Sequence, residues 1–428
     1  MIRILLVILL LAASSAQARV TLIRDAEIEF ALRQVAAPVL RAAGLSAGTR
    51  IIVVNDDSLN AFVLDARTIF IHAGLLMRLD DTDEVMAVIA HEAAHIANGH
   101  LTRRPAAARS ARNAAVLGQL LGAATIAAGG GDAGLGVALG SASAARRGFF
   151  AHTRGEEASA DQSALRYLAA AGADPGAAAR VLDLFVGQEA LSVGRQDPYV
   201  RTHPLSRDRQ RAVRGFAAAV TPRARDSQAT DYWHARAVGK LSAFLRAPRW
   251  TLRRAKGGDE VAVLRRAIAH HRQANRRRAV AGIDALIAAR PSDAFFHELR
   301  GQFLLEAGEA RAAVASYRRA TDLAPREALI RAGLGRALLA AGDAAGALRV
   351  LEPARASDPF DAALLRDLAQ AHAALGQTGL AAVAAAERYA VLGRSSEARR
   401  LAERAAGLLP RGSAGWLRAE DILAAVPR

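Results

Sequence analysis

Two histidines and a glutamate stand in the order His91-Glu92-Ala93-Ala94-His95. Residues four apart on a helix lie one turn above each other, so both imidazoles can reach one ion while Glu92 stays beside it. Two neutral imidazoles and an oxygen donor suit Zn²⁺, and an open fourth position would lower a bound water's pKa from 15.7 to about 7. Glu92 is then placed to take that water's proton and pass it to a leaving amine. The same five residues also arise by chance in an Ala-rich helix, so a third ligand has to decide.

The surroundings predict the helix. Asp81 can cap it with Glu84 completing a capping box, Val85, Val88, Ile89 and Ile96 recur at helical spacing, and Gly99 ends it. About 60 residues later, Arg154 to Asp161 (RGEEASAD) places Glu157 and Asp161 four apart on one face of a second predicted helix. A carboxylate ligand with another carboxylate one turn on is chemically sensible, because the outer one can accept the free N–H of a ligating histidine. Glu156, one residue from Glu157, competes for the ligand position.

HExxH followed by RxxExxAD resembles the zinc endopeptidase family that includes HtpX, the CAAX prenyl endopeptidase and the periplasmic protease BepA. The resemblance implies one zinc per chain held by His91, His95 and Glu157, with Asp161 behind a ligand histidine. Arg154, three residues before Glu157, fits the family register and favours Glu157 over Glu156. Leu59-Asn60-Ala61-Phe62, Ala73-Gly74-Leu75-Leu76, Ala171-Gly172-Ala173-Asp174-Pro175 and Thr202-His203-Pro204-Leu205 resemble further family segments. The last implies that His203 belongs to the active site, either as a donor to the oxyanion or as an inhibitory fourth zinc ligand. In the second role a loop from about Gln188 to Thr202 would have to move before water could bind. His100, His152 and His234 lack such neighbours and read as structural or exposed, and His72 reads as a strand-end residue without a role.

The elements that must position these groups follow from periodicity. Arg24 to Ala43 predicts an amphipathic helix buried through Ile28, Leu32, Val35, Ala36 and Val39, closed by Gly44. Arg50–Asn55, Asn60–Leu64 and Thr68–His72 predict a small sheet; the family resemblance implies that its edge aligns an extended peptide by strand addition, and a plain core sheet is the alternative. Between residues 105 and 148 lie apolar and Gly-rich pieces too short to span a bilayer, flanked by arginines; they read as a hairpin making peripheral membrane contact or covering the cleft, or else as a buried helical pair. Residues 1–18 read as a secretory signal peptide, with Arg3, an apolar core of about ten residues and Ala16-Gln17-Ala18, so cleavage after Ala18 and a periplasmic location are expected.

The formal net charge is +16, but Lys240 and Lys256 are the only lysines, and the arginines are spread along helices without a cluster interleaved with aromatics. That distribution argues against nucleic acid as a partner. There is no cysteine, so export would bring no disulfides. A chain of this length buries ordinary cores without them.

Beyond a charged connector, a 34-residue period emerges: Gly301, Gly308, Ala313, Ala320 and Pro325 recur as Gly335, Gly342, Ala347, Ala354 and Pro359. This is the tetratricopeptide signature, with four repeats expected. The fold expected is mostly α: a zincin-type α+β metalloprotease domain with a small sheet, then an all-α tetratricopeptide solenoid. The boundaries read as 19–225 for the protease, 226–259 for a helical connector and 260–428 for the repeats. The function expected is a zinc endopeptidase of the cell envelope. By the resemblance, its clients are unfolded or misassembled envelope and outer-membrane proteins, captured by the repeats, with the outer-membrane assembly machinery as a further partner. The alternative is a periplasmic chaperone or assembly scaffold with a latent protease domain.

Overall fold

The structure is a computed structural model and describes residues 21–101, 153–188, 191 and 195–426. The expected signal peptide, the membrane-contact segment 105–148 and His152 lie outside the described residues. Two compact units are present: Arg33–Ser227 with the strand before Arg24, and Gln228 onward together with Arg24–Leu32. The first boundary therefore departs from a contiguous 19–225 domain. The charges and rings of Arg24–Leu32 are satisfied by residues beyond Gln228, which local periodicity does not reveal.

The first unit is built on a four-stranded sheet of order β1 (Leu22–Ile23), β2 (Arg50–Val54), β4 (Thr68–His72), β3 (Ala61–Val63). β2 and β4 pair in parallel, Ile51 opposite Ile69 and Val53 opposite Ile71, while β3 runs antiparallel on β4 with Phe62 opposite Phe70. From Ile51 to Val54 every residue is buried, as in a strand covered on both faces. α1 (Ala26–Ala42) buries the predicted Ile28, Leu32, Val35, Ala36 and Val39. The short α2 (Ala73–Leu76) leads into α3 (Thr82–Ala97), which packs on β3 and β4. Asp81 caps α3 by accepting from the Glu84 N–H at 2.8 Å. The Glu84 carboxylate accepts instead from the N–H of Asp80, one residue before the cap, so the expected box is displaced by one residue. Then come a helix over 153–171, labelled α4, α5 (Gly176–Asp183), α6 (Pro198–Thr202) and α7 (Arg207–Ala219).

The second unit opens with α8 (Gln228–Leu245) and α9 (Pro248–Arg254). Among the described residues, the first helices of four successive pairs begin at Glu260, Ala294, Ala328 and Ala362, each 34 residues on. The second helices begin at Arg276, Ala310, Ala344 and Thr378 with the same spacing. A further pair, Ser395–Leu408 and Ala414–Ala425, follows in looser spacing, adding to the four repeats expected. The small residues have the packing role their period suggested: a Cβ on Gly335 would lie 2.4 Å from the Leu351 side chain.

Arg24–Leu32 is bound into this unit by charge and by rings. Glu27 pairs with Arg236 at 2.5 Å and with Lys240 at 3.2 Å, and Asp25 pairs with Lys240 at 2.9 Å. Phe30 meets Trp233 edge-on at 4.8 Å and lies 5.0 Å from Phe295. Arg236 and Lys240 are both fully buried, which is tolerable because each faces several carboxylates.

Candidate metal centre

α3 is buried continuously from Val85 to His95. Its last turns therefore carry His91, Glu92 and His95 inside the protein rather than on a wet face. α4 supplies Glu157 and Asp161 one turn apart, both buried. Asn98 ties the two helices together, its amide donating to the Ser159 and Ser163 hydroxyls at 3.1 and 3.3 Å. His203 arrives on a third segment, immediately after α6. Its ring tilts against Tyr199 at 4.7 Å, and Tyr199 stacks on Phe185 at 4.6 Å. That segment is fastened to the start of the sheet edge: the Tyr199 N–H donates to the Leu59 carbonyl at 3.2 Å. Gln188 and Asp197 exchange two hydrogen bonds across the described parts of the loop.

One ligand atom from each of His91, His95, Glu157 and His203 lies within 4.8 Å of all the others. The close separations are tighter still. His91 Nε2 lies 3.1 Å from His95 Nε2, 3.2 Å from His203 Nδ1 and 3.2 Å from Glu157 Oε2. Glu157 adds 3.4 Å to His95 Nε2 and 3.1 Å to His203 Nδ1. Ligands about 2.0–2.1 Å from one tetrahedral ion stand about 3.3–3.4 Å apart, so the spacing suits such an ion. The chemistry of the donors suits it too. Asp161 Oδ1 stands 3.0 Å from His91 Nδ1 and accepts its proton, which turns the lone pair of Nε2 toward the other donors. Converging lone pairs repel unless a cation stands among them.

Glu156 is buried as well but is not part of this group, whereas Glu157 is. Glu92 is 0% exposed, and neither of its carboxylate oxygens has a hydrogen-bond partner within the protein. Its Oε1 stands 3.4 Å from His203 Nε2. A buried carboxylate beside the cluster yet outside it is what a base acting on a bound water requires.

Charge is distributed unevenly over the two α3 histidines. With no metal bound, burial disfavours the His91 cation, but Asp161 and Glu157 outweigh burial and raise its pKa to about 9, so a metal that takes the Nε2 lone pair must displace a proton from it. Burial, reinforced by the neighbouring His91 and His203, pushes His95 down to about 3 and keeps it neutral. Asp161 is held at about 2 because the Arg209 guanidinium outweighs its burial. Glu157 is likewise pulled well below the usual carboxylate range, its burial overcome by His203 and the two α3 histidines.

Two buried contacts escaped the sequence reading. Arg209, in the first turn of α7, follows the Thr202–Leu205 segment in sequence and faces inward. It grips Asp161 at 2.5 and 2.9 Å, stands 3.2 Å from Glu157 and donates to the His203 carbonyl at 3.3 Å. Its spacing from His203 was visible; its burial was not. His100 had read as structural or exposed, and it is buried against a site histidine, its Nδ1 2.9 Å from His95 Nδ1. His72 bonds the Ser58 hydroxyl at 3.0 Å, away from the group.

Residues 24–217 match peptidase family M48, and residues 304–371 match the tetratricopeptide repeat family. The chain carries an M48 peptidase domain followed by tetratricopeptide repeats. The M48 domain contains every member of the cluster, and that family implies a metal. Among curated relatives, the beta-barrel assembly-enhancing protease of Escherichia coli O157:H7 is 27% identical over 283 residues, 63% of this chain and 56% of that protein. The protein of the same name from Yersinia pestis is 28% identical over 170 residues, covering 40% and 35%. The chain thus spans about half the length, or less, of these relatives. Among solved structures, a MamA double mutant aligns with 38% of this chain and 94% of its own, at 20% identity and a TM-score of 0.33. Among the described residues, no helix is long and apolar enough to cross a membrane.

Proposed function

We propose that the chain is a zinc-dependent endopeptidase of the cell envelope whose M48 domain is latent in the conformation described. In this reading His91, His95 and Glu157 hold one Zn²⁺, which when bound supplies an acidified water and polarises the scissile carbonyl. Glu92 takes the proton from that water and hands it to the leaving amine. Asp161 fixes the His91 ring, and Arg209 fixes Asp161. His203 stands as a fourth donor through Nδ1, in the place a water needs, so it must withdraw before Glu92 can act. The observation that carries this reading is the convergence of three imidazole nitrogens and a carboxylate beside Glu92.

The repeats are assigned capture of client polypeptides, since stacked helix pairs present an extended concave surface. Following the name of the relatives, the client class is misfolded or stalled outer-membrane β-barrel proteins, with the assembly machinery as a second partner. A periplasmic location accords with the signal peptide read in the sequence. The close approach of His203 to the other donors also favours the alternative, a chaperone or scaffold whose protease is normally silent.

The test is zinc content together with hydrolysis of an unfolded protein such as casein, in wild type and in Glu92→Gln. One zinc in both and turnover only in wild type is the expected result, because an amide cannot take the water's proton. Turnover at the wild-type rate in Glu92→Gln would sink the assignment of the base.

A further inference from the structure

Each α3 histidine has one nitrogen turned into the cluster and one turned away. For His91 the outward Nδ1 meets Asp161, a partner that the RxxExxAD pattern suggested. For His95 the outward Nδ1 meets His100 at 2.9 Å, with the rings 4.9 Å apart and inclined at 73°. We propose that His100 is a positioning residue for the metal centre: it accepts the Nδ1 proton of His95 and so fixes the tautomer whose bare Nε2 faces the metal. The inference rests on the zinc reading above.

The protons admit this arrangement. A hydrogen bond between two imidazoles needs one N–H and one lone pair. His95 can turn a lone pair inward only if its proton sits on Nδ1, so the Nδ1 of His100 must be the acceptor and its own proton must lie on Nε2. The ring of His95 is then held in orientation and in tautomer, the job the Asp161 carboxylate does for His91. The two partners differ in kind: His91 leans on a carboxylate that Arg209 keeps ionised, His95 on a ring nitrogen.

The chain path explains why a residue five positions on can do this. At 3.6 residues per turn, position 100 of an unbroken helix would point well away from position 95. α3 instead ends at Ala97, and Gly99 takes φ +70°, a left-handed conformation open to glycine at little cost. The Gly99 N–H closes the turn on the Ile96 carbonyl at 3.0 Å, and the chain folds back so that His100 returns beneath His95. The glycine that read simply as a helix stop is part of the metal site's support.

The experiment uses the full chain stripped of metal and titrated with Zn²⁺ against a chromophoric chelator, for wild type, His100→Leu and His100→Asn. Asn places an acceptor oxygen near the position of Nδ1, whereas Leu fills similar space without one. The expected result is a loss of zinc affinity of about 10- to 100-fold in His100→Leu, with recovery toward wild type in His100→Asn. Equal affinity in all three would overturn the proposal, and equal loss in both variants would reduce His100 to a packing residue. Should His100→Leu fail to fold, ¹⁵N spectra of the zinc-loaded wild type decide: a slowly exchanging proton on His95 Nδ1 supports the role, and one on Nε2 overturns it. A wild type that binds no zinc overturns the metal reading and this inference with it, whereas one zinc bound alike by wild type and His100→Leu overturns the inference alone.

Discussion

Arg209 grips both oxygens of Asp161, Nε to Oδ2 at 2.5 Å and Nη2 to Oδ1 at 2.9 Å, and Asp161 in turn stands 3.0 Å from the Nδ1 of His91. The relay runs from α7 through α4 to α3, so a guanidinium that does not belong to the four-donor group fixes the orientation of a ring that does. It also explains how Asp161 stays ionised where almost no water reaches it.

Replacing Arg209 with Met should therefore act on stability and metal binding together. Removing one partner of a buried ion pair costs about 3–5 kcal/mol, because the other charge is left without compensation. Urea unfolding of the metal-free chain reads the first effect, and zinc titration reads the second. Unchanged unfolding would mean that the pair contributes nothing to the fold.

Glu157→Ala should lose zinc affinity far more than Glu156→Ala, although the two residues are adjacent and both buried. One step along a helix turns a side chain by about 100°, enough to take it out of the group. Equal metal loss in the two variants would return the ligand assignment to the ambiguity of the sequence. Asp161→Ala should be milder, at about 10- to 100-fold, because it removes support rather than a ligand.

If His203 is the fourth donor proposed above, His203→Ala should retain zinc and cleave a short unstructured peptide faster than wild type, because the variant frees the position for water. A fall of about 10²- to 10³-fold would instead mark His203 as an oxyanion donor. Metal content and peptide cleavage measured on the same preparation separate the two, and unchanged values in both would deny it any role in the site.

Glu298 supplies a pH signature in the repeat unit. Its burial, with Asp25 and Glu27 nearby, raises its pKa to about 7 against the pull of Lys240. A carboxyl whose folded pKa is raised binds its proton more tightly in the folded state, so its stabilising effect is complete below the ordinary carboxylate range and is lost as pH rises toward about 7. Glu298→Gln should flatten this part of the profile. Thermal melting of both proteins between pH 4.5 and 7.5 checks it: the difference in Tm between them should change across that range, and a constant difference would refute the shift.

The sequence by itself determined much of this protein. Four-residue spacing put His91 above His95 and Glu157 above Asp161, because helical geometry fixes which neighbours share a face. The 34-residue recurrence of small residues gave the repeats, because paired helices approach closely only where a side chain is missing, as at Gly335 beside Leu351. What remained open depended on contacts across long sequence separations. Periodicity says which face of a helix is apolar but not which arginine on a polar face turns inward, so the burial of Arg209 against Asp161 of α4 could not be read from it. Local pattern marked Gly99 as a stop without showing that the returning chain would set His100 against His95. The assignment of Arg24–Leu32 to the repeat unit rests on Glu27 meeting Arg236 and Lys240, more than 200 residues away. Only tertiary structure decides such pairings, because the stabilisation of a buried charge comes from partners that the chain's local geometry does not specify.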